Sequence, residues 1–361
     1  MVKISMAGRV TPKNVIFFAH GLALGFALCL FRSMDFCFVP NKIDSNVTGK
    51  TLVQMFHDKE LNSSLAKELL LRVEEMEARK MSEDVRVLCW VMTSPENHEE
   101  KAVHVKATWG RHCNKLIFIS DEDDESLPAL KLPGVRPGRD GLWSKTVAAF
   151  KYVYENCSGE YDWVLKADDD SYVVVENLRK MLLPHSPKDP LYFGFRMKPL
   201  SRSMPLTPEG YMSGGAGYVL SKEAVRRVVT EAFDGKQKIC RLSTDENSED
   251  ANMGECVYSV GVKTGDSRDA LGRNRFFPFQ PDLHTQPFSD TRDWWFWDYI
   301  WWPTEEGIDN CSDELVSFHY MDKFKMYMME YLVYHVRPFG VRHFKKYDNE
   351  EYQRISKIEN H

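Results

Sequence analysis

From residue 85 onward, hydrophobic positions follow two periods that alternate along the chain. Short apolar runs such as VRVLCWVM, KLIFIS and YDWVLKA are typical of buried strands. Between or after them, helical patterns are predicted near Glu99 to Trp109, from Leu142 to Asn156 and near Glu176 to Leu183. This alternation predicts an α/β fold with a mainly parallel sheet, whose ligands bind at the carboxyl ends of the strands.

A different pattern is found near the N-terminus, where Val15 to Phe31 is apolar apart from His20. The run is slightly short of the roughly 20 residues that span a bilayer, and the cationic residues before it favour a cytosolic N-terminus. We therefore predict a cytosolic tail at 1–14 and a type II transmembrane anchor at 15–31. A cleaved signal peptide is the alternative, and both interpretations place the bulk of the chain in the secretory lumen.

The remainder divides into a polar stem at 32–84, one folded domain at 85–345 and a C-terminal tail at 346–361. Within the stem, an amphipathic helix is predicted by apolar residues at helical spacing: Leu61, Leu65, Leu69, Val73 and Met76. No long linker or internal repeat interrupts the folded domain. We therefore expect one luminal domain of this length.

Composition and modification signals agree with a luminal protein. The 361 residues are 43% hydrophobic with a net charge of −6, and no cationic face is predicted, which argues against nucleic-acid binding. N-x-S/T sequons occur at four positions: Asn46, Asn62, Asn156 and Asn310. Of the eight cysteines, Cys29 lies in the anchor and Cys37 just beyond it. The other six include no CxxC pair and favour disulfides over zinc: Cys89, Cys113, Cys157, Cys240, Cys256 and Cys311.

The most informative stretch is YDWVLKADDD, Tyr161 to Asp170, where a buried strand runs into three consecutive carboxylates. Buried carboxylates need water or a cation, because an isolated buried charge is costly. Asp168 and Asp170 point to the same side of a strand end, where they can hold a divalent ion that also binds a diphosphate. The alternative is a solvated acidic turn, or a cap for the helix near Glu176.

Two downstream residues carry candidate chemistry. Asp250 opens a helical pattern, so its carboxylate either caps that helix or serves as a general base. VSFHYM, Val316 to Met321, alternates like a strand, and this predicts His319 on the face opposite Phe318 and Tyr320. An imidazole there either completes a site begun by carboxylates or is an ordinary half-buried strand residue. Nitrogen and oxygen ligands together favour manganese over calcium.

Three other segments have two interpretations each. Arg139-Asp140-Gly141 precedes the Leu142 helix with Lys145 in its first turn, and these residues either attract phosphate or form a capped surface helix. The glycines between Tyr211 and Tyr218 allow a close ligand approach or a tight turn, and they fit neither GxGxxG nor a Walker loop. Five of the nine tryptophans lie in Trp294 to Trp302, where they either stack on sugars or make core contacts.

Taken in order, the motifs resemble glycosyltransferase family 31, and within it the core 1 β1,3-galactosyltransferases. The similarity covers about Val85 to Gly340 and rests on CWVMT, HVKATWG, CNKLIFIS, LKADDD, YFGF, GYMSGGAGYVLSKEA, ED followed by GEC, GDSRD, FFPF and VSFHYMD. The resemblance implies a GT-A type fold with a mixed, mainly parallel central sheet. It also implies a Golgi type II membrane enzyme, usually a homodimer, which transfers galactose with inversion from UDP-galactose to O3 of GalNAc on Ser or Thr.

The resemblance also implies site residues. Asp168 and Asp170 correspond to the metal-binding DxD, His319 to a distal Mn²⁺ ligand and Asp250 to the base. Nucleotide contacts are implied for Met92, Thr93, Arg139, Asp140, Gly141, Lys145 and Asp168. For the acceptor sugar of a GalNAc glycoprotein we predict contacts with Trp295, Trp297 and Tyr320.

The sequence departs from the family where Asn310-Cys311-Ser312 replaces adjacent cysteines, and Cys157 has no family counterpart. The resemblance favours Cys89 with Cys113 and Cys240 with Cys256, and it leaves the partner of Cys311 open. A dedicated folding chaperone is a possible partner. Two alternatives to the core 1 activity are a non-catalytic chaperone-like homologue and a family 31 transferase with another donor or acceptor.

Overall fold

The computed structural model describes residues 77–199, 207–242, 249–286 and 295–336. The predicted anchor, the stem before residue 77 and the predicted C-terminal tail lie outside these ranges. Within these ranges, no helix has both the length and the apolar character needed to cross a membrane.

A seven-stranded sheet forms the centre of the domain, in the order β10-β6-β9-β4-β1-β2-β3. Strand β9 runs antiparallel to both of its neighbours, and every other pair in this sheet is parallel. The expected mixed, mainly parallel sheet is therefore confirmed. Its strands are β1 (Val87–Met92), β2 (Lys115–Ser120), β3 (Ala129–Lys131), β4 (Trp163–Asp168), β6 (Leu191–Gly194), β9 (Tyr218–Ser221) and β10 (Lys263–Thr264).

Hydrophobic clusters cover both faces of this sheet, as strand β1 illustrates. Its odd-numbered residues Val87, Cys89 and Val91 belong to one cluster, and its even-numbered residues Leu88, Trp90 and Met92 belong to the other. A strand buried on both faces needs a continuous apolar run rather than alternation. This is why VLCWVM reads as a strand although it lacks a polar face.

The described helices include α1 (Val103–Ala107), α2 (Leu142–Asn156), α3 (Val175–Leu182), α4 (Lys222–Arg227), α5 (Glu249–Ser259), α6 (Pro281–Thr285), α7 (Phe296–Tyr299) and α8 (Lys323–Tyr334). Helix α2 has the predicted bounds, and α3 lies within one residue of its prediction. The helix predicted near Glu99 to Trp109 begins as a π-helical turn, His98–Ala102, and continues as α1.

Short strands bring distant segments to the acidic triplet. Strand β12 (Ser317–Phe318) lies between β11 (Phe276–Phe277) and β5 (Tyr172–Val173), and β5 directly follows the triplet. A separate antiparallel pair joins β7 (Arg196–Met197) to β8 (Tyr211–Met212).

The strand predicted over Val316 to Met321 is wrong in its extent. Only Ser317–Phe318 is a strand, and Tyr320 adopts a positive φ of 54°, which ends the alternation. As a result, the rings of His319 and Tyr320 stack at 3.9 Å between centroids instead of facing opposite sides. The N–H of Met321 donates to the carbonyl of Asp170 at 2.8 Å, which draws this segment toward the triplet.

Both favoured disulfides, Cys89–Cys113 and Cys240–Cys256, are confirmed. The first joins β1 to the residues before β2, and the second joins α5 to the loop before it. Cys157 and Cys311 are free cysteines among the described residues, and Cys157 is buried. The Sγ of Cys311 lies 3.7 Å from the carbonyl oxygen of His284.

The two described sequons differ in access, and we expect a glycan on Asn156 only. Asn156 is exposed, whereas Asn310 is 5% exposed and its Oδ1 accepts hydrogen bonds from Asn274 and Thr304. A glycan on Asn310 would break this buried cluster. In chain expressed through the secretory pathway, Ser158→Ala should raise electrophoretic mobility by one glycan and Ser312→Ala should not. A one-glycan shift with Ser312→Ala would contradict this expectation.

Candidate active site

A cleft of about 1030 Å³ lies at the carboxyl ends of the neighbouring strands β1 and β4. In the parallel pairing, Met92 at the end of β1 is in register with Asp168 at the end of β4. Most predicted site residues line this cleft: Met92, Thr93, Arg139, Asp140, Lys145, Asp168, Asp170, Asp250, Trp295, His319 and Tyr320. Gly141 and Trp297 do not line it.

Two carboxylates and one imidazole converge in the cleft. One ligand atom from each of Asp168, Asp170 and His319 lies within 4.8 Å of the other two. Nε2 of His319 is 3.1 Å from Oδ1 of Asp170 and 3.8 Å from Oδ2 of Asp168. Burial would raise the pKa of Asp170, but its hydrogen bond to His319 and the nearby charges of His319 and Lys101 outweigh burial and lower the pKa to about 2. This carboxylate is therefore ionised at neutral pH and fits a divalent cation.

The imidazole of His319 is oriented by its surroundings. Nδ1 lies 3.2 Å from the carbonyl oxygen of Pro278. Because a carbonyl only accepts, Nδ1 donates to it, and this contact orients the ring with Nε2 on the carboxylate side. A Cβ on Gly215 would lie 2.1 Å from two atoms of the ring, so this glycine provides space for the imidazole.

The middle residue of the triplet, Asp169, has a different environment. It is buried, its Oδ2 accepts a 2.8 Å hydrogen bond from the Thr93 hydroxyl, and burial raises its pKa to about 6. The ammonium of Lys101 lies 3.0 Å from Asp170 and 3.6 Å from Asp169. Asp169 therefore ties the triplet to the residue after β1, and it occupies the hydroxyl of Thr93, a residue predicted to contact nucleotide.

Of the residues predicted to attract phosphate, Arg139, Asp140 and Lys145 line the cleft and Gly141 does not. Arg139–Gly141 forms a 3₁₀ turn before α2, and a Cβ on Gly141 would lie 1.8 Å from the carbonyl oxygen of Arg136. Gly141 thus permits a close backbone approach. The buried Lys145 ammonium lies 2.8 Å from Oδ1 of Asp121 and donates to the carbonyl of Thr93 at 3.0 Å. Asp121 lines the cleft and had not been predicted.

Asp250 reaches the cleft from the first turn of α5. Its Oδ2 accepts a hydrogen bond from the N–H of Gly214 and its Oδ1 one from the N–H of Ala251, both at 2.9 Å. A helix-capping side chain bonds to N–H groups two or three residues ahead, which is not the arrangement of these two contacts. Burial, and next the charge of Glu249, raise the pKa of Asp250 to about 6. Such a carboxylate can accept a proton near neutral pH.

A buried lysine that the sequence analysis missed links the two halves of the site. Nζ of Lys166 lies 2.6 Å from Oδ1 of Asp168 and 3.6 Å from Oε2 of Glu249, and it donates to the carbonyl of Gly214 at 3.1 Å. Burial lowers the pKa of Lys166, but the neighbouring carboxylates outweigh burial and raise it, so the ammonium remains charged. The signal was present in the sequence: a lysine inside the apolar run WVLKAD must find an anionic partner.

Glu249, the first residue of α5, is a second site residue that was not predicted. Its Oε1 accepts hydrogen bonds from the hydroxyls of Thr146 at 2.8 Å and Tyr218 at 2.7 Å. These contacts tie the first turn of α5 to α2 and β9. Glu249 is therefore held by α2 and β9 as well as by its ion pair with Lys166.

We expect Lys166→Met to lower kcat at least about tenfold, because removing one partner of a buried ion pair leaves uncompensated carboxylates and costs roughly 3–5 kcal/mol. The change should also lower the thermal midpoint. Adding Glu249→Gln should recover part of that stability, since it removes one of the two carboxylate charges that lost their cationic partner. The measurements are kcat and thermal midpoint in a double-mutant cycle, with the exposed Lys180→Met as control. Wild-type kcat and stability in Lys166→Met would contradict this role.

The tryptophan-rich segment divides between the cleft and the protein interior. Trp295 and Tyr320 line the cleft and are 49% and 52% exposed. The ring of Phe279, which was not predicted, lies between them at 6.1 Å from Trp295 and 5.9 Å from Tyr320. Trp297 is partly buried and packs against Phe296 at 5.3 Å.

The last two tryptophans contact cations rather than the cleft. The guanidinium of Arg196 lies 3.8 Å from the ring centre of Trp301, and that of Arg268 lies 4.0 Å from the ring centre of Trp302. Cation–π contacts of this kind hold the segment against β7 and the loop after β10. Trp294 lies outside the described residues.

Comparison with known proteins places the chain in a family. The Fringe-like family model matches residues 82–269. Glycoprotein-N-acetylgalactosamine 3-beta-galactosyltransferase 1 of Xenopus laevis is 45% identical over 267 residues, which cover 74% of this chain and 71% of the relative. The chain belongs to the Fringe-like family, and the resemblance to glycosyltransferase family 31 is confirmed.

More distant proteins are also similar. The beta-1,3-glucosyltransferase of Mus musculus is 26% identical over 172 residues, 48% of this chain and 33% of that protein. A Drosophila galactosyltransferase solved with manganese, UDP-Gal and xylobiose is 15% identical, covers 50% of this chain and 64% of its own, and has a TM-score of 0.28.

Proposed function

We propose that this chain is a metal-dependent, inverting β1,3-galactosyltransferase that moves galactose from UDP-galactose to O3 of GalNAc on Ser or Thr of glycoproteins, making the core 1 O-glycan. The proposal rests chiefly on one observation: the cleft holds a carboxylate–imidazole ligand set and a separate carboxylate of raised pKa. The 45% identity to a galactosyltransferase named for this acceptor sugar supports the same donor and acceptor.

The ligand set fits Mn²⁺, because oxygen and nitrogen donors together suit this ion better than calcium. Asp168, Asp170 and His319 would hold it, and when bound it would supply Lewis-acid stabilisation of the diphosphate charge. Asp168 would serve both the ion and the nucleotide. Arg139 and Lys145 would supply cationic charge for the departing diphosphate, with Asp121 and Thr93 orienting Lys145.

Asp250 would take the O3 proton of the acceptor as the sugar bond forms. The hydrogen bonds from Gly214 and Ala251 orient its carboxylate, and its raised pKa makes it a better proton acceptor than an ordinary aspartate. Attack by O3 on the face opposite the departing UDP inverts the anomeric centre in one displacement. No covalent intermediate on the protein is then required.

The exposed rings of Trp295 and Tyr320 would contact the acceptor sugar, because aromatic faces stack on the C–H face of sugars. Phe279 would support both rings from between them. Trp297 packs behind the cleft wall, and its contribution would be to hold this aromatic group in place.

Incubating the purified chain with UDP-galactose and a GalNAc-peptide tests the reaction. We expect a β1,3-linked galactose on the peptide, with no transfer from UDP-glucose or UDP-GlcNAc at a comparable rate. A different preferred donor or acceptor would favour another family 31 activity. Binding of unfolded client without any transfer would favour the chaperone-like alternative, which the intact Asp168–Asp170 pair and Asp250 argue against.

We also propose a Golgi membrane protein, anchored by 15–31 with its catalytic domain in the lumen, that acts as a homodimer and folds with a dedicated chaperone. The apolar run and the sequons support the topology. Protease added to sealed Golgi vesicles should remove only the cytosolic tail, and detergent should then expose the rest. Digestion of the C-terminal region in sealed vesicles would reverse the orientation.

A further inference from the structure

Charged and hydroxyl side chains form a cluster outside the cleft, where α8 contacts α3 and the 3₁₀ turn Trp109–His112. Glu330, the one carboxylate of α8, is 6% exposed. It accepts a 3.0 Å hydrogen bond from the Tyr172 hydroxyl and another from the guanidinium of Arg111. Because a buried carboxylate needs such partners, these contacts hold α8 on the domain. The whole group is called the His112 cluster and comprises Arg111, His112, Tyr172, Glu176, Glu330 and Tyr334.

His112 presents one ring nitrogen to each of two carboxylates. Nδ1 lies 3.0 Å from Oε1 of Glu176 on α3, and Nε2 lies 3.4 Å from Oε1 of Glu330 on α8. The ring stacks on Tyr334 at 4.4 Å between centroids, and the Tyr334 hydroxyl donates to Glu176 at 2.5 Å. An ionised carboxylate only accepts hydrogen bonds, and a neutral imidazole has a single N–H. Only the imidazolium can therefore donate to both carboxylates at once.

The charges around His112 favour this protonated form. Burial lowers the pKa of His112, but the hydrogen bonds and charges of Glu176 and Glu330 outweigh burial and raise it. Two cations also belong to this region: Arg111 in the same turn, and Arg179 of α3, whose Nη2 donates to the His112 carbonyl at 2.7 Å. A raised pKa contributes stability that is complete below the ordinary value, about 6.5 for histidine, and is lost as pH rises through the value in the folded chain.

The two hydroxyls of the cluster do not titrate in this range. Burial raises the pKa of Tyr172 and of Tyr334 above the ordinary value of tyrosine, so both hydroxyls stay protonated and continue to donate. His112 is accordingly the group whose charge changes near neutral pH. The cluster should hold α8 against α3 most tightly at mildly acidic pH.

Three contacts join the His112 cluster to the metal ligands. The hydroxyl that reaches Glu330 belongs to β5, which begins two residues after Asp170. The indole N–H of Trp109, in the same turn as the imidazole, donates to the carbonyl of Ser171 at 2.7 Å. Helix α8 begins two residues after Met321, whose N–H donates to the carbonyl of Asp170. The packing of α8 therefore sets the position of the segment that carries the imidazole ligand.

We propose that His112 is a positioning residue: as the imidazolium it holds α8 against α3, keeps His319 beside the acidic triplet, and releases this hold as pH rises. The inference rests on the proposed metal-dependent transfer and adds pH control of the metal site. His112 does not line the cleft, so it acts through α8. Mn²⁺ should then bind more weakly at higher pH. This is opposite in sign to the usual effect, in which deprotonation of the ligands strengthens metal binding.

The thermal midpoint of the full, detergent-solubilised chain in excess chelator tests the hold on α8 without metal or donor. His112→Arg keeps a cation that can reach both carboxylates at every pH, and His112→Gln has none. Between about pH 6 and about pH 8.5, the wild-type midpoint should fall by about 2 °C or more relative to His112→Arg and approach that of His112→Gln. Either comparison alone is decisive if one variant does not fold. His185→Gln, at an exposed histidine outside the cleft, should keep the wild-type dependence.

Mn²⁺ titrations of UDP binding on the same preparations test the connection to the site. Over this pH interval the Mn²⁺ concentration for half-maximal UDP binding should rise at least about threefold in the wild type relative to His112→Arg. At saturating Mn²⁺ the site stays filled, so the kcat/KM profile should not depend on this residue.

Three results would overturn the proposal. One is a wild-type midpoint that follows His112→Arg at both pH values, and another is a His112→Gln variant with the full wild-type pH dependence. The third is an unchanged Mn²⁺ requirement despite the midpoint shift, since the cluster would then stabilise α8 without affecting the metal ligands. UDP binding that ignores Mn²⁺ in every variant would refute the proposed function itself, and the inference with it.

Discussion

Asp250→Asn is expected to lower kcat by about 10²-fold or more, because an amide cannot accept the O3 proton at neutral pH. The amide oxygen can still accept one of the two N–H groups that now bond to Asp250, those of Gly214 and Ala251. The thermal midpoint should therefore change by only about a few degrees. UDP binding should persist, since the proposed donor contacts lie at the metal ligands. Transfer rate, midpoint and UDP affinity are measured on the same preparation.

The pH profile gives an independent test of the same residue. Because the pKa of Asp250 is raised to about 6, the base is protonated below that pH and ionised above it. The kcat/KM of the wild type should fall by about tenfold per unit below pH 6 and level off above it, because kcat/KM reports the pKa values of the free enzyme. In Asp250→Asn this acid limb should disappear. A folded Asp250→Asn protein that transfers galactose within a few-fold of wild type would leave this carboxylate with only its contacts to the Gly214 loop.

Removal of the metal ion is expected to abolish transfer, and Mn²⁺ should restore it. Asp170→Ala should produce a comparable loss even at high Mn²⁺, because it removes one of three convergent ligands and leaves His319 without its partner at 3.1 Å. The measurements are transfer rate against Mn²⁺ concentration and Mn²⁺-dependent UDP binding. Asp309→Ala, an exposed carboxylate outside the cleft, serves as the matched control.

Two results would remove the metal from the mechanism. One is full activity of the wild type in excess chelator. The other is an Asp170→Ala variant whose rate and Mn²⁺ dependence match those of Asp309→Ala. Loss of activity without loss of Mn²⁺-dependent UDP binding would instead assign Asp170 a role after donor binding.

The central strands and α2 could be predicted because their burial requires apolar residues at regular spacing within a few positions of one another. Strand β1 is buried on both faces, so it reads as a continuous apolar run, and α2 repeats its apolar residues over fifteen residues. The acidic triplet was recognisable for a similar reason, since carboxylates directly after such a run are exceptional. The disulfide pairs came from family resemblance, because spacing alone leaves fifteen pairings among six cysteines open.

The prediction failed where distant segments meet. Alternation in VSFHYM predicted a strand through Met321, but the Met321 N–H bonds to the Asp170 carbonyl and the chain turns at Tyr320. Lys166 was visible as a buried charge, yet nothing local identifies Glu249 as its second partner. Phe279 was not predicted, because its position between the rings of Trp295 and Tyr320 depends on contacts among three separate segments.

The sequence by itself determined the α/β class, the main strands and helix α2, and the carboxylates at the end of β4, because each depends on neighbours a few residues away. Only the tertiary structure decided that Nε2 of His319 faces Asp170, that Lys166 joins the metal ligands to the base helix, and that Trp295 but not Trp297 lines the cleft. These contacts join segments far apart in the chain. They are specified by the packing of whole elements, and local periodicity carries no information about such packing.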